Sequence, residues 1–147
     1  MKLRLAIFGL ALGLSACSTS GFNRPVEVPS PPVVTTPSGA TYEDLRLGEG
    51  AEAVDGSGVQ VHYIGWVAGG ARFDSTYDRG VPVEFTLGAG QVIRGWEEGM
   101  QGMRAGGKRR IRIPPELAYG DVGLGDVIAP GATLVLDVEL LEVRGGG

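Results

Sequence analysis

Few residues in this 147-residue chain could perform covalent or acid–base chemistry. His62 is the only histidine and Cys17 the only cysteine, which excludes metal sites built from several of these residues, a disulfide within the chain and a CxxC redox pair. Only a carboxylate-rich metal site would remain. The sequence has no GxSxG, HExxH, phosphate-loop or EF-hand motif. We therefore expect neither a metal nor a cofactor.

The remaining polar candidates have simpler interpretations. His62 lies in the middle of a predicted strand, which favours a packed or surface histidine over a member of a catalytic triad. Asp74 and Asp78 could form an acid–base pair, but the nearby Arg79 favours ion pairs in a loop. The glycine-rich segment 88–107 lacks the strand–turn–helix pattern of a dinucleotide site. What is left is a set of apolar and aromatic side chains, and the pattern alone does not separate pocket from core.

Strands must position most of these side chains, because the apolar pattern has mainly period two. Val59, Val61 and Tyr63 share one face of a strand, and residues 133–141 alternate more cleanly. The chain has 26 glycines without a three-residue period, which is typical of a β-rich domain with tight turns. The sequence predicts about five antiparallel strands, with a loop at 76–81, among the extended segments 42–47, 59–67, 73, 83–87, 110–113 and 133–141.

One stretch has the period of a helix. Its apolar residues recur at i, i+3, i+7 and i+10, namely Ile93, Trp96, Met100 and Met103. Gly95, Gly99 and Gly102 would each cost about 1 kcal/mol relative to Ala in a helix. Packing of the Trp96 face onto the sheet must therefore hold this helix. The fold class predicted is α+β, with a curved antiparallel sheet around one short helix.

The first residues predict export and lipidation. Lys2 and Arg4 precede an apolar run at 5–14, which resembles a secretory signal and is too short to span a bilayer well. The run ends in Leu14-Ser15-Ala16-Cys17, which resembles the lipobox of bacterial lipoproteins, whose cysteine receives the lipid before cleavage. We expect residues 1–16 to be a signal peptide and Cys17 to be lipidated; an ordinary secretory peptide is the alternative. Ser18 resembles the outer-membrane sorting signal of enteric-type bacteria, which predicts the periplasmic face of that membrane in the cell envelope.

A linker separates this anchor from the folded domain. Residues 17–39 have the proline-rich, sparsely charged composition of an extended tether, with an edge strand through 26–28 as the alternative. The domain is expected at 40–147. The chain carries 13 Lys+Arg and 17 Asp+Glu, a net charge of -4, which argues against a nucleic-acid partner. Without Lys2 and Arg4 the charge is 11 − 17 = -6, so we expect lipid rather than anionic head groups to hold the protein at the membrane.

Four segments, in order and spacing, resemble the FKBP family of peptidyl-prolyl cis-trans isomerases. They are VHYIGWVAGGARFDSTYDRG, FTLGAGQVIRGWEEGMQGMRAGGKRRIRIP, LAYGDVG and ATLVLDVELLEV, and the resemblance covers nearly all of 42–143. It implies a shallow apolar pocket between sheet and helix. It also implies proline-containing polypeptides as partners, with the macrolides tacrolimus and rapamycin as further ligands.

The resemblance also implies roles for individual residues. Trp96 would form the floor under the proline ring, the backbone N–H of Ile93 would bind one carbonyl, and the hydroxyl of Tyr119 would bind another. Asp74 resembles a polar group held by Tyr63 and Arg79. The implied catalytic residues are Tyr63, Asp74 and Tyr119, and the implied substrate-binding residues are Phe73, Phe85, Val92, Ile93, Trp96 and Ile128.

Several positions depart from the family pattern. Val83 and Leu136 replace a phenylalanine of many members, Leu124 replaces a histidine, and Ala129 replaces a proline. These changes predict a smaller aromatic rim. The resemblance therefore supports isomerase activity more directly than tight macrolide binding. We expect a monomeric, lipid-anchored isomerase that acts on folding extracytoplasmic proteins by desolvating and twisting the X-Pro amide. A non-catalytic chaperone module that grips proline-containing segments is the alternative.

Overall fold

The computed structural model describes residues 30–145. Within them lie seven strands, two α-helices and a 3-10 helix at Pro115–Leu117. In chain order the elements are β1 (Val34–Thr35), β2 (Thr41–Arg46), β3 (Gly58–Val67), β4 (Arg72–Ser75), α1 (Thr76–Arg79), β5 (Val83–Thr86), α2 (Arg94–Met100), β6 (Lys108–Ile113) and β7 (Leu134–Arg144). The strands form one antiparallel sheet in the order β1-β2-β6-β7-β3-β4, and β5 pairs with β3 beside β4. The predicted α+β architecture is confirmed.

The predicted alternation decides which side of the sheet is the core. In β3, Val59, Val61 and Tyr63 are buried, while the residues between them are partly exposed. Leu136 and Val138 of β7 are buried as well, on the strand that pairs with β3 along its whole length. The central pair therefore presents one apolar face, and α2 packs against the neighbouring strand β6.

Two glycines let α2 approach the sheet closely. A Cβ atom added at Gly95 would lie 2.3 Å from Cγ2 of Ile113, and one added at Gly99 would lie 2.5 Å from Cγ2 of Ile111. Any side chain at these two positions would therefore clash with β6 and force α2 away from the sheet. Met103, predicted on the helix face, lies beyond the end of α2 but is buried at 2% exposure.

A buried arginine ends the same helix. Nη1 of Arg109 donates to the carbonyls of Gly99 and Gln101 at 2.8 and 3.0 Å, and Nε donates to Oδ1 of Asp44 at 2.7 Å. The guanidinium also lies over the ring of Tyr42, 3.9 Å from its centroid. Arg109 is only 5% exposed, so these partners replace water for both the charge and the last carbonyls of the helix.

The folded unit extends further towards the N-terminus than predicted. It begins at Pro31, and β1 pairs Val34 with Tyr42, although the linker was expected to reach residue 39 without packing. The reason is a local turn: Thr36 donates its N–H to the carbonyl of Ala40 at 2.8 Å, and its side chain accepts the N–H of Ala40 at 3.1 Å. Composition does not reveal such a turn. The signal peptide, Cys17 and the strand considered at 26–28 lie outside the described residues.

The predicted loop at 76–81 contains the short helix α1. The Ser75 side chain accepts the N–H of Tyr77 at its start. Gly80 ends it with a φ of 71°, a conformation that favours glycine. Across residues 30–145, no helix combines the length and apolar character needed to cross a membrane.

Candidate active site

A cavity of about 280 Å³ opens between α2, the concave face of the sheet and the loop after residue 119. Except for Phe85 and Ile128, every predicted catalytic or substrate-binding residue lines it. The complete lining is Tyr63, Phe73, Asp74, Gln91, Val92, Ile93, Trp96, Tyr119, Leu124, Val127, Leu134 and Leu136. Two of the positions that depart from the family pattern, Leu124 and Leu136, are therefore part of the wall.

The two exceptions have different locations. Phe85 lies in an adjoining cavity of about 370 Å³, which also includes Val83. Ile128 is 1% exposed and belongs to the core, so it is not in the cavity wall where the resemblance placed it. Its backbone exchanges hydrogen bonds with Leu124 at 2.8 and 3.1 Å, and this turn leaves its neighbour Val127 to line the cavity instead.

Trp96 forms an apolar floor. Its indole makes edge-type contacts with Tyr63, with ring centroids 4.7 Å apart, and with Phe85, with centroids 5.4 Å apart. Its Nε1–H points to the sulfur of Met100 at 3.0 Å, so the polar atom of the ring is turned to the interior. The indole is 7% exposed and lines the cavity together with Tyr119, so an apolar ring surface is open to a ligand.

Asp74 holds the polar edge of the cavity. Its carboxylate accepts hydrogen bonds from the hydroxyl of Tyr63, from Nη1 of Arg79 and from the N–H of Ser75. Burial raises the pKa of Asp74, but these hydrogen bonds lower it by more, so the pKa lies below its usual value. Burial, followed by the hydrogen bond to Asp74, raises the pKa of Tyr63 to about 12. At neutral pH the pair is therefore a phenol donating to a carboxylate.

The second aspartate of this region is engaged elsewhere. Asp78 forms an ion pair with Arg72 at 2.9 Å, while Asp74 pairs with Arg79. Each carboxylate thus has its own arginine, as the ion-pair interpretation predicted. An acid–base pair would need one of them to hold a proton, and the lowered pKa of Asp74 opposes that.

The backbone of Tyr63 is fixed by the residue that follows β4, the strand paired with β3. Thr76 is fully buried, and its Oγ1 accepts the N–H of Tyr63 at 2.8 Å and lies 2.8 Å from Nδ1 of His62. His62 also stacks on the ring of Tyr77, with centroids 4.6 Å apart. His62 is thus a packed histidine outside the cavity wall. Within residues 30–145 no cluster of three His, Cys, Asp or Glu side chains could hold a metal.

The two residues predicted to supply hydrogen-bond donors, Ile93 and Tyr119, both line the cavity. Ile93 is the residue before α2, and its carbonyl accepts the N–H groups of Trp96 and Glu97, which fixes the peptide orientation. Its own N–H has no backbone acceptor among the described residues, as is usual at a helix start. Tyr119 anchors its loop by accepting the N–H of Gly123 at 3.0 Å, and its side chain lines the cavity. The site thus combines an apolar floor with a few donors at its rim.

The predicted site residues left out five residues of this lining, namely Gln91, Leu124, Val127, Leu134 and Leu136. Gln91 lines the cavity while its Oε1 accepts the N–H of Thr86 at 2.7 Å. A polar residue in a glycine-rich loop carries no periodic signal that would place it there. Only the register of the neighbouring strand brings the two residues together.

Comparisons with known proteins agree with this geometry. A family model described as "FKBP-type peptidyl-prolyl cis-trans isomerase" matches residues 49–141. The chain is 54% identical over 105 residues to an FK506-binding protein of Neisseria meningitidis serogroup B, covering 71% of this chain and 96% of the relative. It is 40% identical over 145 residues to the chloroplastic peptidyl-prolyl cis-trans isomerase FKBP13 of Arabidopsis thaliana, covering 91% of this chain and 68% of that protein.

Solved structures give the same assignment. The crystal structure of AtFKBP13 superposes with a TM-score of 0.71 at 42% identity and covers 76% of this chain and 98% of that one. FkpA from Escherichia coli also has a TM-score of 0.71, at 43% identity, covering 78% of this chain and 53% of its own. The chain belongs to the family of FKBP-type peptidyl-prolyl cis-trans isomerases and is an enzyme of that family.

Proposed function

We propose that this isomerase is a lipid-anchored enzyme that accelerates X-Pro isomerisation in unfolded or folding proteins outside the cytoplasm. The cavity is the observation that supports the enzymatic part of the proposal. It has an indole floor and residues with hydrogen-bond donors, and X-Pro isomerisation needs no nucleophile. The basic start, the apolar run and the lipobox-like sequence ending in Cys17 support the location.

The apolar lining accounts for catalysis without proton transfer. Rotation about an X-Pro bond has a barrier of about 18 to 20 kcal/mol, because twisting destroys the amide resonance. The same resonance makes the planar amide more dipolar than the twisted one. Transfer from water into a cleft floored by Trp96 therefore destabilises the planar state more than the transition state. Contacts with the rest of the substrate must hold it there.

The rim donors complete the mechanism. Ile93 and Tyr119 line the cavity. In this mechanism the N–H of Ile93 and the hydroxyl of Tyr119 bind substrate carbonyls and fix the peptide while the prolyl bond turns. Shortening a reaction of about 10 to 100 s to about 1 ms requires roughly 5.5 to 7 kcal/mol. A few oriented hydrogen bonds together with desolvation have this magnitude.

Asp74 acts as a fixed acceptor in this mechanism. Its carboxylate accepts a hydrogen bond from the hydroxyl of Tyr63. The Tyr63 hydroxyl therefore has its partner within the protein and does not need water in the cavity. The ion pair with Arg79 keeps the carboxylate charged. Both residues thereby preserve a dry, preorganised wall beside the prolyl ring.

The anchor and linker set where the enzyme works. Multiple acyl chains on Cys17 would hold it firmly, since each buried CH₂ contributes about 0.8 kcal/mol. Because the folded unit begins at Pro31, a linker over residues 17–30 would reach up to about 40 Å at roughly 3 Å per residue. The proposed location is the periplasmic face of the outer membrane. Cys17→Ser should abolish membrane fractionation and the acyl mass increment; an unchanged mass in the wild type would contradict lipidation.

Macrolides are proposed as competitors at the same cavity. Relatives of this chain are named FK506-binding proteins. Leu124 and Leu136 give this cavity aliphatic walls, and Val83 does the same next to it, so we expect weaker macrolide binding than an aromatic rim would allow. A titration of tacrolimus against peptide turnover measures this, and analytical ultracentrifugation tests the proposed monomer.

A protease-coupled assay on a prolyl peptide tests the function. We expect turnover well above the spontaneous rate at micromolar protein, and lower turnover in Asp74→Val and Tyr119→Ala, with both variants still folded at the assay temperature. Peptide binding without any catalysis would favour the chaperone-module alternative. Unchanged turnover in both variants would contradict the site assignment.

A further inference from the structure

The outer edge of β5 borders the active-site cavity. β5 pairs with β3 along one edge, with Phe85 opposite Val59 and Glu84 opposite Gln60. Within the part of the chain that the structure describes, no strand covers its other edge. An uncovered strand edge presents N–H and C=O groups that can pair with another chain.

The register decides which backbone groups of β5 face outward. Leu87, just after the strand, donates its N–H to the carbonyl of Ser57 at 2.8 Å, so odd-numbered residues direct their backbone groups to the β3 side. Thr86 instead donates its N–H to Oε1 of Gln91 at 2.7 Å, on the opposite side. Glu84, two residues earlier, has the same outward orientation as Thr86, because backbone groups alternate along a strand.

Neither end of this edge offers a free N–H, whereas its middle does. Pro82 has no N–H to offer. At the other end Gln91 occupies the N–H of Thr86, and the carbonyl of Thr86 receives the N–H of Ala89 at 3.3 Å. Along the described edge, Glu84 is left with an outward N–H and an outward C=O. One residue with both groups forms the double hydrogen bond of an antiparallel pair.

This open position is continuous with the place where the proline binds. The adjoining cavity of about 370 Å³ and the active-site cavity share the wall residues Tyr63, Gln91, Val92 and Trp96. Glu84 lines the adjoining cavity, and the next residue, Phe85, touches the indole of Trp96. Since successive Cα atoms are about 3.8 Å apart, a chain with its proline over Trp96 reaches Glu84 within a few residues.

We propose that the polypeptide flanking the substrate proline binds as a short extra strand on the outer edge of β5, through a pair of backbone hydrogen bonds with Glu84. The inference rests on the proposed function, because it takes the proline to lie over Trp96. Strand addition recognises backbone more than side chains, so many sequences fit. The preferred substrate is then an extended, unfolded segment with a free N–H near the proline, rather than a proline in a folded turn.

The first test varies the substrate on the full chain. One prolyl peptide has about four residues, and the other is extended on each side by about four more, the length of β5. We expect kcat/KM to be about tenfold higher for the long peptide, the effect of one or two net hydrogen bonds. In a series of long peptides, each N-methylated at one flanking residue, we expect only one member to lose this advantage, the one whose N–H pairs with β5. No length advantage, or one that survives every N-methylation, overturns the proposal.

The second test varies the edge. Glu84→Pro removes the outward N–H, which is not part of the β3 ladder, and an edge strand tolerates proline at such a position. Glu84→Ala is the matched control, because it removes the same carboxylate and keeps the N–H. We expect the ratio of long-peptide to short-peptide kcat/KM to fall to about one in Glu84→Pro and to persist in Glu84→Ala; the reverse pattern, or a ratio retained by both, overturns the proposal.

Binding measurements separate this proposal from the proposed function. Dissociation constants of both peptides are measured with the same proteins. If the wild-type protein shows no turnover, the proposed function is contradicted. Strand pairing is still supported in that case if the long peptide binds more tightly than the short one and N-methylation removes the difference. If Glu84→Pro does not fold, the N-methylated series on the wild type decides the question.

Discussion

Gly95→Ala distinguishes two opposite expectations for α2. Helix propensity alone predicts that alanine stabilises the protein by about 1 kcal/mol. In the structure, a Cβ atom at residue 95 would lie 2.3 Å from Cγ2 and 3.1 Å from Cβ of Ile113. Both atoms belong to the stiff branch point of a fully buried side chain in β6, so they cannot swing aside. The helix must then move away from the sheet.

The steric effect should exceed the gain in propensity. Over-packing of a core costs typically about 1 to 3 kcal/mol, and so short a contact belongs at the upper end of that range. Subtracting about 1 kcal/mol of propensity leaves a net loss of about 2 kcal/mol in the free energy of unfolding. With an m-value of about 2 kcal/mol/M, the urea midpoint falls by about 1 M. Trp96 follows residue 95, so the cavity floor moves and kcat/KM falls too.

Urea unfolding and the protease-coupled assay measure both effects. Ile113→Ala provides the control, because it removes the Cγ atoms that the new methyl group would strike. The double variant should therefore be less destabilised than the sum of the two single variants, by about 1 to 2 kcal/mol. A Gly95→Ala protein as stable as the wild type, or a double variant that is merely additive, would refute the packing argument.

Three further predictions concern the wall and the end of α2. Tyr119→Phe should lower kcat/KM about tenfold with little change in unfolding, since it removes only the rim hydroxyl; unchanged kcat/KM would deny that donor a role. Asp74→Asn should lower the free energy of unfolding by about 1 kcal/mol at pH 7. Because folding lowers the pKa of Asp74, its stabilisation is complete above the unfolded value of about 3.9 and is lost as pH falls through the folded pKa. The two proteins should then converge in acid, and a pH-independent difference would contradict the carboxylate's role. Arg109→Met should cost about 3 kcal/mol by leaving buried carbonyls and Asp44 without a donor, whereas Arg112→Met, at an exposed position of the same strand, should change stability by less than about 0.5 kcal/mol; equal losses would contradict this.

The strands that carry the core were predictable because their burial is one-sided. In β3 and β7 every second side chain is apolar, and a shift by one residue would expose the whole set. The alternation therefore predicts which face of each strand is buried. The helical stretch is less clear, because Gly95 and Gly99 weaken the helix locally and make sense only beside Ile113 and Ile111.

Elements held by side-chain contacts were not predictable. β1 depends on the turn at Thr36, and α1 depends on the cap at Ser75. Arg109 lies on the same face of β6 as Ile111 and Ile113, where a charged side chain needs partners that the sequence does not show; Asp44 and two helix carbonyls are those partners. Each case joins residues through specific hydrogen bonds, and the hydrophobic pattern contains no record of them.

The site became readable through family resemblance rather than through periodicity. Composition identified the aromatic residues but did not divide wall from core. Val127 and Ile128 illustrate the remaining uncertainty, since a tight turn with Leu124 turns one into the cavity and the other into the core. A loop without period two assigns neighbours to opposite sides by its dihedral angles, which sequence spacing does not fix.

The contacts that hold the wall also determine what the cavity can do. Thr76 accepts the backbone N–H of Tyr63, and Asp74 accepts its hydroxyl. The indole N–H of Trp96 donates to the sulfur of Met100. The polar groups of Tyr63, Asp74 and Trp96 are thus satisfied within the protein, which leaves ring faces for the substrate amide. A wall group that hydrogen-bonded to the amide in its planar form would stabilise the ground state and raise the barrier to rotation. The bonds that fix these rings in the fold are therefore the same bonds that keep the cleft apolar enough to favour the twisted amide.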